Sequence, residues 1–133
     1  MITTTQIVAA LQTRLASYTP LTDIVPSTSI GNYLPQDTPR PLITYEFLFE
    51  GNTLKGEDDL TVTITFNIES EEKGVKQTLE IQQLIRNIMD DTPLTIASGD
   101  CYGTFIDDFN AAPETDGLTY SGSMIYTALY GDN

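Results

Sequence analysis

Histidine and tryptophan are absent from this 133-residue sequence, and cysteine occurs once, at Cys101. Histidine is the commonest general base near neutral pH and a frequent metal ligand, so its absence excludes the usual serine and cysteine triads and most zinc sites. The chain also lacks the glycine-rich patterns G-x-x-x-x-G-K-[ST] and G-x-G-x-x-G that hold nucleotide phosphates. The sequence therefore predicts a protein that is not an enzyme, with no catalytic residue, no metal and no cofactor.

Basic residues are scarce. The chain has 6 lysines and arginines against 19 aspartates and glutamates, which gives a formal net charge of −13. Binding along a nucleic-acid backbone requires clustered positive charge that releases counterions, and the composition argues against such binding. An anionic surface repels DNA, which is useful where DNA has to pass without sticking, although solubility alone also explains the acidity.

Long hydrophobic runs are missing as well. No apolar stretch approaches the roughly 20 residues of a membrane-spanning helix, and the N-terminal MITTTQIVAALQTRL has no basic segment leading into an apolar one. We therefore expect no membrane contact, and a protein that is cytosolic or belongs to something assembled in a cytosol. With 40% apolar residues, 1–133 is expected to form a single domain with its own core.

Paired acidic residues remain as candidates for metal or acid–base chemistry. These pairs are Asp58–Asp59, Asp90–Asp91 and Asp107–Asp108. Neighbouring residues on a strand point to opposite faces, so Asp107 and Asp108 are not expected to converge if their segment is extended. We interpret the three pairs as solvated surface acids.

Hydrophobic periodicity predicts the helices and strands. Apolar and polar residues alternate without a break from Leu60 to Glu69, which is typical of a strand with one buried face. Ser70 precedes two glutamates, a pattern that favours a helix N-terminus, and this helix is expected to bury an apolar side that includes Leu79. The predicted elements are a helix over 3–17, strands over 42–50 and 60–69, a helix from Ser70 to Met89, and strands within 94–109 and 118–130.

The order of these elements predicts the fold class. Strands that follow one another usually pair as antiparallel neighbours, and helices placed between them pack together on one side. We expect an α+β fold, with a mostly antiparallel sheet of about four strands and two helices packed on one face.

Two connections are unusual. The segment 19–41 holds five of the seven prolines, and its apolar residues favour an ordered arm with one short strand. The acidic segment GNTLKGEDD, 51–59, is long for a hairpin loop. Arg40 lies between two prolines that limit the backbone entropy lost on docking, so it is either an anchor across an interface or a simple surface arginine.

The pattern of the whole chain resembles a known family. IVAALQTRLASYTPLTDIV (7–25) is followed by IGNYLPQDTPRPLITYEF (30–47), then by LTVTITFNIESEEKGVKQTLEIQQLIRNIM (60–89) and a closing tyrosine-containing strand. This arrangement, over about 5–130, resembles the tail terminator, tail-completion or head–tail joining proteins of long-tailed bacteriophages and prophages.

The resemblance implies a structural virion protein. Such subunits form a ring, commonly a homohexamer, on the finished tail tube, where they stop polymerisation and present a surface to the head connector or stopper protein. The implied place is the head-proximal end of the tail, assembled in the bacterial host cytoplasm. DNA passes through the lumen without specific binding, and no cofactor is needed.

The arm and the acidic hairpin loop are the predicted contact surfaces, because stiff arms and long loops supply the surfaces by which ring subunits contact one another. The loop 51–59 is also a candidate for the lumen or for the rim that meets the tube. The residues predicted to contact another subunit or partner are Tyr33, Pro39, Arg40, Pro41, Lys55, Glu57, Asp58 and Asp59.

A second interpretation comes from a different class of protein. A small and very acidic chain can imitate DNA and occupy a basic site on a nuclease or a repressor. Mimics of this kind carry carboxylates along one face at the spacing of phosphates, whereas the acids here are spread over loops, turns and a helix start. Self-association separates the two interpretations, because a terminator has to close a ring.

Overall fold

The computed structural model describes residues 4–52, 59–90, 93–97, 100–113 and 118–131. In chain order the elements are α1 (Thr4–Ser17), α2 (Thr19–Thr22), a 3-10 turn (Ser27–Ser29), β1 (Ile30–Gly31), β2 (Leu42–Asn52), β3 (Asp59–Ser70), α3 (Lys76–Met89), β4 (Asp100–Pro113) and β5 (Tyr120–Gly131). Within these ranges, no helix combines the length and hydrophobicity that crossing a membrane requires.

The strands form one mixed sheet in the order β1-β2-β3-β5-β4. The four long strands are antiparallel to their neighbours, and β1 pairs in parallel with β2 through only two residues, Ile30 and Gly31. The predicted α+β class is therefore confirmed, with β1 as a fifth, very short strand. The last strand, β5, lies between β3 and β4 and is not at the edge of the sheet.

The alternation of β3 places its apolar residues on the face that carries the helices. Val62, Ile64, Phe66 and Ile68 are fully buried, whereas the threonines between them are half-buried on the opposite face. Because β3 pairs with β2 on one side and with β5 on the other, this strand supplies the centre of the core.

Both long helices pack on this same face. Ile7, Leu11 and Leu15 of α1 and Ile81 and Ile85 of α3 join the buried strand residues in one hydrophobic cluster. A helix that places an apolar residue on one side at every turn buries that side against the sheet and leaves its polar side in water. The prediction of two helices on one face is confirmed.

Three tyrosine hydroxyls tie the helices and loops to the sheet. Tyr45 donates a hydrogen bond to Gln12 of α1, Tyr126 donates to Asp90 at 2.7 Å, and Tyr130 donates to a backbone carbonyl oxygen at 2.8 Å. Burial raises the pKa of each of these tyrosines above its ordinary value near 10, so their hydroxyls remain hydrogen-bond donors to a higher pH than an exposed tyrosine would.

The predicted start of α3 at Ser70 is wrong. Ser70 is the last residue of β3, where it pairs with Tyr120, and α3 begins at Lys76. The hydroxyl of Ser70 accepts the N–H of Glu72 at 3.1 Å, so the serine caps a turn instead of a helix. Pairing with β5 keeps the chain extended beyond the point where the local pattern favours a helix.

The predicted burial of Leu79 is wrong as well. Its side chain is 45% exposed, and the buried side of α3 instead includes the polar residues Thr78 and Gln82. Gln82 donates a hydrogen bond to the carbonyl oxygen of Asn110 at 2.6 Å. The helix is rotated so that these two residues face β5, where Gly122 leaves room for them.

Candidate assembly surfaces

The proline-rich arm, 19–41, contains regular elements and lies against the body of the protein. It contains α2, the 3-10 turn and β1, which matches the expected short strand. The N–H and the hydroxyl of Thr38 both donate to the carbonyl oxygen of Pro35, and the hydroxyl of Ser29 donates to that of Pro39 at 3.3 Å. These bonds fold the arm back on itself close to β2.

Arg40 lies between two carboxylates of its own chain. Its guanidinium is 3.5 Å from Glu71 and 3.8 Å from Glu69, and its side chain is 29% exposed. The arginine therefore fastens the arm to the end of β3. A partner that docks here meets a guanidinium already held in place by these acids.

We expect the substitution Arg40→Gln to change the free energy of unfolding by less than about 1 kcal/mol, because ion pairs this exposed contribute little. If Arg40 also anchors a second copy, the same substitution weakens self-association measured by light scattering. Lys76→Gln is the matched control, since Lys76 forms an exposed pair with Glu80 at 3.9 Å. An equal effect of both substitutions on association would contradict a specific role for Arg40.

The predicted contact residues that the structure describes lie at two opposite ends of β3. Tyr33, which is 81% exposed, and Pro39 and Pro41 belong to the arm, near the Glu69 end of β3. Asp59 is the first residue of β3, about 33 Å away at the usual rise per strand residue. Lys55, Glu57 and Asp58, with most of the acidic loop, lie outside the described residues.

The uncovered face of the sheet is a surface that the sequence analysis missed. We call it the outer face, because both long helices pack on the other side. The strand register places its side chains in rows that cross β2, β3, β5 and β4 in turn. Three neighbouring rows are Glu50, Thr61, Leu129 and Gly103; Leu48, Thr63, Thr127 and Phe105; and Glu46, Thr65, Ile125 and Asp108.

Large apolar side chains stand exposed on the outer face. Leu48 is 58% exposed, Phe105 46% and Leu129 38%, and Ile125 lies half-buried beside them. These four residues, with Thr63 and Thr127 between them, are named the outer patch. The sequence signal that could have predicted this patch is Leu48. It is an apolar residue on the opposite face of β2 from Tyr45 and Phe47.

Acidic residues flank the outer patch on two sides. Glu46 and Glu50 lie on β2, and the carboxylate of Asp107 on β4 accepts a hydrogen bond from Thr127 at 2.5 Å. Asp108 pairs with Ile125 and therefore lies on the same face. No lysine or arginine occurs in the three rows traced through the described strands.

The expected divergence of Asp107 and Asp108 was stated for an extended segment, and β4 is not regularly extended there. The register shifts between Ile106 and Asp108, so that Asp107 is an extra residue in β4. Such a bulge turns two consecutive side chains toward one face. Among the described residues no three potential metal ligands lie together, and Asp107 and Asp108 form part of the acidic border of the outer patch.

Positive charge is concentrated on the helix side of the molecule. Lys76 and Arg86 lie on α3, and Lys73 lies just before it. Arg86 forms an ion pair with Asp90 at 3.2 Å, as its i,i+4 spacing suggests, and stacks 5.4 Å above the ring of Phe109. These cations therefore lie on the opposite side of the sheet from the outer patch, and two of them pair with acids of their own helix region.

A family model described as "Tail completion protein gp17" matches residues 9–131. The chain belongs to this tail completion family. Proteins of this family are structural and not enzymatic, so the tail completion protein described here is a structural component of a phage tail. The match confirms the resemblance to tail completion proteins that the residue pattern indicated.

A solved structure has the same fold. The tail completion protein superposes on a chain from the "Virion of native gene transfer agent (GTA) particle" with a TM-score of 0.84. The two chains are 11% identical, and the match covers 96% of each. Among curated protein sequences, no significant match is found.

Proposed function

We propose that the protein closes into a homohexameric ring that caps the finished tail tube and ends its polymerisation. The opposite side of the ring offers a surface to the head connector, at the head-proximal end of a tail assembled in the bacterial host cytoplasm. DNA passes through the lumen and is not specifically bound.

The outer face of the sheet is the observation that carries this proposal. A five-stranded sheet with helices on one side leaves Leu48, Phe105 and Leu129 in contact with water. Contiguous apolar side chains on a protein surface mark places where another molecule binds. In a structural protein of the phage tail, the molecules available for this contact are further copies of the chain and the neighbouring tail proteins.

The charge supports a channel for DNA. Each chain carries a net charge of −13, so a ring of six would present a strongly negative surface to a polyanion. Repulsion prevents DNA from adhering to the wall while it passes. We assign the lumen or the tube-facing rim to the acidic loop 51–59, which joins β2 to β3.

The test is the mass of the protein in solution, measured by light scattering over a wide concentration range, with and without purified tail tubes. We expect a particle of about six times the 14.7 kDa chain mass, either alone or at one end of each tube, where electron microscopy detects it. Tubes polymerised in the presence of the protein should stop growing at the capped end.

A chain that stays monomeric at every concentration and leaves the tubes uncapped would contradict the ring. If that monomer instead bound a basic DNA-handling protein, the acidic surface would be that of a DNA mimic. Capping by particles of another mass would keep the capping function and change only the number of subunits.

A further inference from the structure

We propose that the outer patch of one copy packs across helix α1 of the next copy. Leu48 and Phe105 enter the two grooves that flank the helix, and Thr63 and Thr127 lie beneath its exposed side. This inference rests on the ring proposed above and names the surfaces that join its subunits.

The central row of the outer patch has a large apolar side chain at each end and short side chains between them. Leu48, Thr63, Thr127 and Phe105 form one row across four strands. Three strand spacings separate Leu48 from Phe105, which places the two residues about 14 Å apart. The threonines between them are half-buried and short.

Helix α1 offers a matching profile. One groove of about 460 Å³ runs along it past Thr13, Arg14 and Leu94, and another of about 560 Å³ runs past Val8, Ile30 and Tyr45. Ala9 lines both grooves, so the helix is the ridge between them. Because an α-helix with its side chains is about 10 Å wide, two side chains about 14 Å apart can straddle this ridge.

The distribution of charge favours α1 as the segment of the neighbouring copy that packs on the outer patch. Two copies with a net charge of −13 each repel one another across most contacts, and Glu46, Glu50 and Asp107 border the outer patch. No acidic residue precedes Asp23 in the chain, so α1 meets this border without like-charge repulsion, and its one charged residue is Arg14. Complementary charge of this kind suppresses other arrangements of the two copies.

The contact joins two different surfaces. The outer patch lies on one side of the sheet, whereas α1 packs on the other side through Ile7, Leu11 and Leu15. Each copy therefore offers a patch to one neighbour and a helix to another. A head-to-tail contact of this type repeats, and it closes into a ring when the rotation between copies allows it.

Disulfide trapping tests the contact directly. Ala9→Cys and Thr63→Cys are made separately in a Cys101→Ser background, mixed with tail tubes and oxidised. We expect a covalent dimer in the mixture and none from either variant alone. Gln83→Cys, on the exposed side of α3, replaces Ala9→Cys in the control mixture and should give no dimer with Thr63→Cys.

A charge substitution tests the same contact through affinity. We expect Leu48→Glu to weaken ring formation roughly tenfold or more, since it replaces the apolar side chain that enters one groove with a carboxylate that has to lose its water there. Leu79→Glu is the matched control, because Leu79 is 45% exposed on α3, away from both surfaces. Circular dichroism and thermal melting establish that both variants remain folded.

The possible outcomes distinguish an error in the proposed subunit contact from an error in the proposed ring. Rings that form without the mixed disulfide and tolerate Leu48→Glu would overturn the contact and leave the ring intact. A disulfide dimer from Thr63→Cys alone would indicate that two outer patches face each other, and would also overturn it. Rings that survive Leu48→Glu but no longer cap tubes would assign the patch to the tube protein, and wild-type protein that forms no ring would remove both proposals.

Discussion

Replacing Phe66 with alanine is expected to lower the free energy of unfolding by about 3–5 kcal/mol. Phe66 is fully buried at the middle of β3, and its ring meets those of Tyr45 and Tyr126 edge to face, with centroids 6.4 and 5.9 Å away. The substitution removes the aromatic contacts and leaves a cavity between the sheet and the two long helices. Urea denaturation of the monomeric protein measures the loss.

Phe105→Ala is the control for this experiment. It deletes the same atoms from a side chain that is 46% exposed on the outer face of the same sheet. We expect a loss of about 1 kcal/mol in the free energy of unfolding, clearly smaller than that of Phe66→Ala, because nearly half of the Phe105 side chain is already in water. Equal losses for the two variants would mean that the assignment of inner and outer faces is wrong.

The second large effect is expected at Gly122, where α3 crosses β5. A Cβ atom at this position would lie 2.5 Å from Cγ2 of Thr78 and 2.7 Å from Nε2 of Gln82. Gly122→Ala therefore has to move the helix or break the hydrogen bond from Gln82 to Asn110. We expect a loss of about 2–4 kcal/mol in the free energy of unfolding, from overpacking together with an unsatisfied buried polar group.

Two further variants isolate the cause of this loss. Thr78→Ser deletes the methyl group that the new Cβ would meet, so adding it to Gly122→Ala should restore part of the stability in a double-mutant cycle. Gly51→Ala is the matched control, since a Cβ there has no heavy atom within 4 Å. A loss at Gly51 similar to that at Gly122 would point to a general cost of replacing glycine and not to helix packing.

Residue periodicity was sufficient to predict the individual elements. The alternation in β3 and the four-residue spacing of Ile7, Leu11 and Leu15 each follow from burying one side of a strand or helix, and the structure contains both elements close to the predicted bounds. The start of α3 was misplaced because Ser70 has a strand partner, Tyr120, that is 50 positions away in the sequence.

The predicted contact residues show that the sequence did not predict the distances between segments. Proline content and charge identified the arm and the acidic loop as unusual segments, but no local property states how far apart they lie. The structure places Arg40 beside Glu69 and Glu71, at the opposite end of β3 from Asp59. Contacts with other subunits at these residues remain predictions, and the Arg40→Gln experiment tests one of them.

The sequence by itself determined the acidity, the exclusion of histidine-dependent chemistry, the α+β class and the resemblance to tail completion proteins, because these follow from residue types and their periods. Only the tertiary structure decided that β5 lies between β3 and β4, and this insertion brings Leu48, Thr63, Thr127 and Phe105 into one row. The physical reason is that a row across a sheet is made by hydrogen bonds between strands far apart in sequence. The surface that we propose for assembly therefore exists only once the strands have paired.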